Sequence, residues 1–102
     1  MAEDDYNQPI AMPDYLIRHA TLRQLQVFEA IVRHGNFTRA SEELFLSQPT
    51  VSMQVKKLAE AMGLTLFEQA GRGVKPTEAA QELYEACRSI FETLANLEMK
   101  IV

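Results

Sequence analysis

One stretch, residues 47–58 (SQPTVSMQVKKL), decides which folds the rest of the chain can adopt. Ser47 is a preferred helix cap, and Pro49 follows within the first turn, where a missing N–H costs nothing. Apolar residues then recur at spacings of four, three and four, which puts them on one helical face: Val51, Val55, Leu58 and Met62. The opposite face is short, polar and locally basic. It is either an ordinary solvated face or a surface that meets a partner.

A first helix is predicted ahead of this stretch, over residues 22–34. Thr21 and Gln24 have the spacing of a capping box, in which each side chain bonds the other's backbone N–H. Apolar residues follow as one broad stripe, and Gly35 ends the helix as a C′ glycine does.

A second, short helix is predicted with Thr38 as its cap. Ala40, Leu44 and Phe45 are expected on its inward face, and Leu46 in the turn is expected to fill the core. Because only about three residues join it to the next helix, the two must cross steeply, as in a helix-turn-helix.

Beyond Gly63, which ends the third helix, the pattern changes to short stretches typical of a β-hairpin. Residues 64–69 are apolar and partly alternating, residues 70–73 form a turn, and residues 74–76 can pair back. This hairpin, or wing, carries Arg72 at its tip between two glycines. Arg72 is either a solubilising turn residue or a cation that reaches a phosphate or a minor groove.

The last element is predicted to be one long helix over residues 77–102, about 39 Å in length. Its apolar residues alternate at spacings of four and three, which is a heptad seam: Leu83, Cys87, Ile90, Leu94, Leu97 and Ile101. The helix could pack on its own domain. It outruns so small a core, however, and this favours a partner helix from a second copy, with Cys87 as a small packing residue.

Composition sets outer limits on the function. With 102 residues and a hydrophobic fraction of 47%, the chain suits one domain. One cysteine excludes an internal disulfide and leaves no metal-ligand cluster, so His19 and His34 are not expected to bind metal. The sequence shows no nucleophile paired with a base, no paired acids and no phosphate-binding loop. Neither an enzyme nor a cofactor is therefore expected. Without a signal peptide or a bilayer-length apolar run, a reduced, cytoplasmic location is expected.

The charge is unevenly distributed along the chain. The net charge is −4 overall, but residues 21–76 carry +2 between flanks of −3 each, 1–20 and 77–102. The first flank is predicted to be a flexible acidic tail, because prolines interrupt it and acids dominate its start. The central excess is small, so it permits nucleic-acid binding without establishing it.

Five short segments carry a resemblance that covers residues 21–102. They read LRQLQVF (22–28), FTRA (37–40), SQPTVS (47–52), LFE (66–68) and PTEA (76–79). In order and spacing they resemble the DNA-binding domain of LysR-type transcriptional regulators. The resemblance implies a mainly α fold, a winged helix-turn-helix (21–76) followed by a linker helix that dimerises. More narrowly, residues 21–26 and 47–58 resemble regulators of carbon-fixation (Rubisco) operons.

The resemblance also implies how the chain would contact promoter DNA. The third helix would enter the major groove and contact bases through Gln48, Pro49, Thr50, Ser52 and Met53. Phosphates would be held by Thr38, Arg39, Lys56 and Lys57. Arg72 would read the minor groove, and two copies joined through the last helix would read an interrupted inverted repeat.

Full-length members of the family continue into an effector domain that this sequence does not contain. For the full-length protein, the resemblance implies a higher oligomer and RNA polymerase as a partner. Gln69 stands where the family often has arginine, and Met53 stands where many members carry arginine or another polar reader. Both departures bear on the target sequence and the affinity rather than on the fold. Two rival interpretations stay open: a winged-helix module that binds protein, and a plain coiled-coil dimerisation unit.

Overall fold

The helix predicted after Thr21, α1, spans Leu22–His34 in the computed structural model, which describes residues 18–101. Thr21 Oγ1 accepts from Gln24 N (3.1 Å) and Gln24 Oε1 accepts from Thr21 N (3.2 Å). Gly35 closes the helix with a φ of 66°, a left-handed conformation that glycine adopts without steric cost. The predicted boundaries and both caps are confirmed. Nearly all of the predicted acidic tail, and Val102, lie outside the described residues.

The second helix, α2, spans Phe37–Leu44, and two predictions about it were wrong. Its cap is Asn36, whose Oδ1 accepts from Arg39 N (2.8 Å), so Thr38 lies inside the first turn. Phe45 does not face inward. It ends the helix in a left-handed conformation (φ 55°), and the residue is 94% exposed.

The third helix, α3, spans Gln48–Met62 and packs across both earlier helices. Ser47 Oγ accepts from Thr50 N (3.2 Å), and Gly63 ends the helix in the left-handed region, both as predicted. The core lies where the three helices meet, and Leu46 packs against it from the turn. Its largest fully buried side chains are Phe28, Ile31, Leu58, Val27, Val51 and Cys87.

The wing is an antiparallel pair of strands, β1 (Phe67–Ala70) and β2 (Gly73–Pro76). Gly71 and Arg72 form its two-residue turn, and Gly71 has a φ of 58°. The wing is held against α1, because Val74 N donates to Gly35 O (3.0 Å). The ring of Phe67 also lies 5.3 Å from that of Phe28 and 5.6 Å from that of Phe37, measured between centroids.

The long helix, α4, spans Glu78–Ile101. Thr77 caps it by accepting from Ala80 N (3.2 Å), and the Thr77 hydroxyl donates to Thr65 O (2.7 Å). The first half of α4 packs on α1, where Ala80 and Cys87 are fully buried, whereas the second half is mostly exposed. None of the helices in the described part of the chain is long and apolar enough to cross a membrane.

Candidate nucleic-acid interface

The outer face of α3 is exposed to solvent because the opposite face of the helix packs in the core. Val51, Val55 and Leu58 are buried, so the side chains a half-turn away point outward. Four of the five predicted base-contacting residues are exposed, namely Gln48, Pro49, Ser52 and Met53, and the fifth, Thr50, is half-buried. The fold thus brings these five residues together along the first two turns of α3.

Hydrogen bonds order the polar side chains at the start of α3. Ser47 Oγ donates to Thr50 Oγ1 (2.9 Å), in addition to capping the helix. Gln48 Nε2 donates to Thr38 Oγ1 (2.9 Å), which lies in the first turn of α2. The start of α2 and the start of α3 therefore lie side by side on the same surface.

Four cations expected to meet DNA are exposed: Arg39, Lys56, Lys57 and Arg72. None of the four forms an ion pair with any of residues 18–101. Two other cations do have ion-pair partners, since Arg33 pairs with carboxylates and Lys75 lies 3.6 Å from Glu68. These four residues therefore leave exposed positive charge on α2, α3 and the wing tip that a polyanion can meet.

A charged cluster on the far end of α2 has a structural role. The guanidinium of Arg33 bonds both Glu29 on α1 and Glu43 on α2, and His34 Nε2 lies 2.8 Å from Glu43 Oε1. The bond from Arg33, and then that from His34, lowers the pKa of Glu43 to about 2, and both carboxylates raise the pKa of Arg33. Through these bonds Arg33 joins α1 to α2, which suits a brace rather than a binding site.

The α4 helix presents an apolar strip beside its own core. Leu83 and Ile90 line a groove of about 450 Å³ together with Leu22 and Leu25 of α1. Farther along, Leu97 and Ile101 are 50% and 72% exposed. By their heptad spacing these two residues lie on the same face of α4 as Leu83 and Ile90.

The remaining residue of interest in the seam, Cys87, is fully covered within the single chain. Burial raises the pKa of its thiol to about 11, so the thiol stays protonated and acts in packing. Among residues 18–101 there is no group of three or more potential metal ligands.

Two contributors to this surface were not identified from the sequence. Asn36, which caps α2, is a preferred cap residue directly after Gly35, so local preferences were sufficient to find it. The bond between Gln48 and Thr38 joins residues ten positions apart and depends on the helix crossing, so no local signal indicates it.

Two packed helices joined by a short turn, an exposed polar face on the second, unpaired cations and a wing define a winged helix-turn-helix of the DNA-binding class. The chain belongs to the LysR family: the sequence model described as "Bacterial regulatory helix-turn-helix protein, lysR family" matches residues 22–81. The fold class predicted from the sequence is confirmed.

Curated relatives cover this same part of the chain. It is 52% identical over 80 residues to the "RuBisCO operon transcriptional regulator" of Allochromatium vinosum. Those residues cover 78% of this chain and 26% of that protein. It is 50% identical over 82 residues to the "HTH-type transcriptional activator CmpR" of Synechocystis. Those residues cover 80% of this chain and 27% of that protein. The chain spans about a quarter of the length of these relatives. The predicted resemblance to carbon-fixation regulators is confirmed.

Solved structures of the same fold include DNA complexes. The BenM DNA-binding domain bound to catB site 1 DNA matches with a TM-score of 0.74 and 30% identity, over 78% of this chain and 89% of that one. The CbnR DNA-binding domain complexed with DNA matches with a TM-score of 0.71 and 31% identity, over 78% and 92%. The chain therefore contains a LysR-type DNA-binding domain of a transcriptional regulator.

Proposed function

We propose that this chain binds promoter DNA sequence-specifically, with α3 in the major groove. The observation that carries the proposal is the exposed first half of α3, set beside cations that have no ion-pair partner in residues 18–101. Major-groove edges distinguish all four base pairs, and a helix fits the groove. Bases would be contacted by Gln48, Pro49, Thr50, Ser52 and Met53.

Phosphate contacts flank this reading surface on two helices. Thr38 and Arg39 lie in the first turn of α2, and Lys56 and Lys57 lie farther along α3. All four side chains are exposed. Such contacts fix the orientation of the protein on the duplex and carry no sequence information themselves.

The wing supplies a second contact, in the minor groove. Arg72 occupies the two-residue turn beyond β1, and its neighbour Gly71 has open space where a side chain would be. A narrow minor groove concentrates negative potential, so an exposed arginine gains most there.

Dimerisation through residues 77–102 would join two reading units, each formed by residues 21–76. The second copy would cover the groove between α1 and α4 and the exposed apolar residues farther along α4. The interface would involve Leu83, Ile90, Leu94, Leu97 and Ile101, with Cys87 supporting it from the core side. A two-fold dimer of this kind reads an interrupted inverted repeat.

The target we propose is a promoter of carbon-fixation genes. The support is that several relatives, at 47–52% identity, are named for the RuBisCO operon or as CmpR. The same face of α3 could instead bind a protein, which is the rival reading for a winged helix. The unpaired cations favour a polyanion over that rival, and any contact with RNA polymerase would belong to the full-length regulator.

Two variants test this proposal, because one removes a proposed base contact and the other removes a proposed phosphate contact. Gln48→Ala should lower specific affinity by about 1–3 kcal/mol and leave non-specific binding nearly unchanged. Lys56→Ala should weaken both and reduce the slope of log K against log salt by about one. The measurement is fluorescence anisotropy on specific and scrambled duplexes across a salt series. Glu60→Gln, on the same helix, is a control that removes a charge without removing a cation. Equal effects of the first two variants on both duplexes would contradict the proposal.

A further inference from the structure

We propose that Thr38 is a positioning residue for Gln48, and that the bond between them makes Gln48 select adenine over guanine. The inference rests on the proposed function, in which α3 lies in the major groove. It starts from the 2.9 Å contact between Gln48 Nε2 and Thr38 Oγ1. Gln48 is the first residue of α3 and Thr38 lies in the first turn of α2, so this bond spans the two helices of the helix-turn-helix.

The bond determines which edge of the Gln48 amide is left for a base. A glutamine amide has two N–H donors and one carbonyl acceptor. One N–H is given to Thr38, and within residues 18–101 the carbonyl Oε1 has no hydrogen-bond partner. The free edge of Gln48 is therefore one acceptor beside one donor.

That free edge complements adenine. In the major groove adenine presents the N6 amino donor beside the N7 acceptor, whereas guanine presents two acceptors, O6 and N7. A two-bond contact with guanine needs two donors, which the amide would present only if it rotated by half a turn and directed its nitrogen outward. Rotation would then place Oε1 of Gln48 against Oγ1 of Thr38.

The proposed phosphate contact of Thr38 is what opposes this rotation. A hydroxyl has one hydrogen to donate, and in the complex that hydrogen points to a phosphate oxygen. The Thr38 oxygen can then only accept, so it holds the nitrogen end of the amide and repels the oxygen end. A contact that carries no sequence information by itself thereby sets the base preference of its neighbour.

The side chains involved permit a clean test by substitution. Thr38 is exposed, and its carbonyl oxygen accepts from Ser41 Oγ (2.6 Å), a contact that a side-chain change leaves in place. Thr38→Val removes the hydroxyl and keeps the shape, and Thr38→Ser keeps the hydroxyl. Thr65→Val is the matched control, since Thr65 is also exposed and its hydroxyl makes no bond with residues 18–101. Circular dichroism melts confirm that each variant is folded.

The experiment measures dissociation constants on a duplex selected by the wild-type protein from random sequences. Each base pair is replaced in turn, and the position whose preference disappears in Gln48→Ala is taken as the Gln48 position. Adenine is expected there, with a preference over guanine of about tenfold or more. Thr38→Val should abolish that preference and leave the preferences at other positions unchanged, and both Thr38→Ser and Thr65→Val should retain it.

Three results would overturn this inference while leaving the proposed function standing. One is a uniform loss of affinity in Thr38→Val with every preference intact, which would make Thr38 a phosphate contact only. The second is a wild-type preference for guanine at the Gln48 position, and the third is loss of the adenine preference in Thr38→Ser. A wild-type protein that selects no sequence at all would instead contradict the proposed function, and this inference with it.

Discussion

Gly73 lies against Gly35 so closely that a Cβ atom on Gly73 would stand 2.2 Å from the carbonyl oxygen of Gly35. The same carbonyl accepts the hydrogen bond from Val74 N that holds the wing against α1. Gly73 is not in a left-handed conformation, so its requirement is for space and not for an unusual φ. Close approach to the end of α1 explains this glycine, whereas the other wing glycine, Gly71, provides the turn.

Gly73→Ala should therefore destabilise the domain. The added methyl group meets backbone atoms that cannot move aside, and overpacking of this kind costs about 1–3 kcal/mol. Thermal unfolding followed by circular dichroism measures the change. Gly71→Asn is the control, because its Cβ would meet nothing within 4 Å and asparagine tolerates the left-handed φ of 58°. Equal melting temperatures for Gly73→Ala and the wild type would contradict the close contact.

Phe45 is predicted to cost stability where it stands. Its left-handed backbone conformation costs conformational free energy in a residue other than glycine. Because the residue is 94% exposed, burial of its side chain offsets little of that cost. Phe45→Gly should raise the free energy of unfolding by about 0.5–1 kcal/mol, because glycine adopts this conformation without steric cost. Phe45→Ala keeps the backbone cost and should show no such gain in urea unfolding. A gain of equal size in both variants would mean that the exposed ring, and not the backbone, is responsible.

The dimer proposal predicts that Ile90→Asp is monomeric. Ile90 lines the groove between α1 and α4, and a carboxylate buried there by a second copy would have no partner. Sedimentation velocity should give monomers for Ile90→Asp and dimers for the wild type. Asn96→Asp introduces the same charge at an exposed position on the opposite side of α4 and should leave the dimer intact. A dimer of Ile90→Asp with wild-type affinity would place the interface elsewhere.

Arg72 at the wing tip is predicted to read groove shape. Arg72→Ala should reduce the preference for A/T-rich over G/C-rich flanks, because an arginine gains most in a narrow minor groove. Dissociation constants for both kinds of flank are compared at one salt concentration. Lys75→Ala, in the same wing but within 3.6 Å of Glu68, should leave the ratio unchanged. An even loss of affinity across flanks would identify a phosphate clamp, and no loss would identify a solvated turn residue.

Much of the fold could be predicted from the sequence because its signals are local. The capping box at Thr21 and the glycines at positions 35 and 63 each act within one helical turn, and α1 and α3 begin and end where they indicate. The start of α2 was misplaced because Asn36 and Thr38 are both acceptable caps. Asn36, directly after Gly35, is the cap that the structure uses, and local preferences could have identified it.

For the proposed interfaces, the sequence offers candidate residues but not how those residues are arranged. Heptad spacing placed Cys87 and Ile90 in one seam. It could not show that the chain's own core covers Cys87 and leaves Ile90 exposed. The bond between Thr38 and Gln48 likewise follows from the crossing of α2 and α3. Such contacts depend on tertiary packing, which local periodicity does not encode.

Hydroxyl-radical footprinting on promoter fragments from upstream of carbon-fixation genes tests the central claim most directly. We expect wild-type protein to protect two half-sites of inverted symmetry, with centres about one helical turn, or a multiple of it, apart. We expect Gln48→Ala to lose this protection at protein concentrations that saturate the wild type. Binding without positioned protection, or a footprint that Gln48→Ala leaves unchanged, would contradict a dimer that reads sequence through α3.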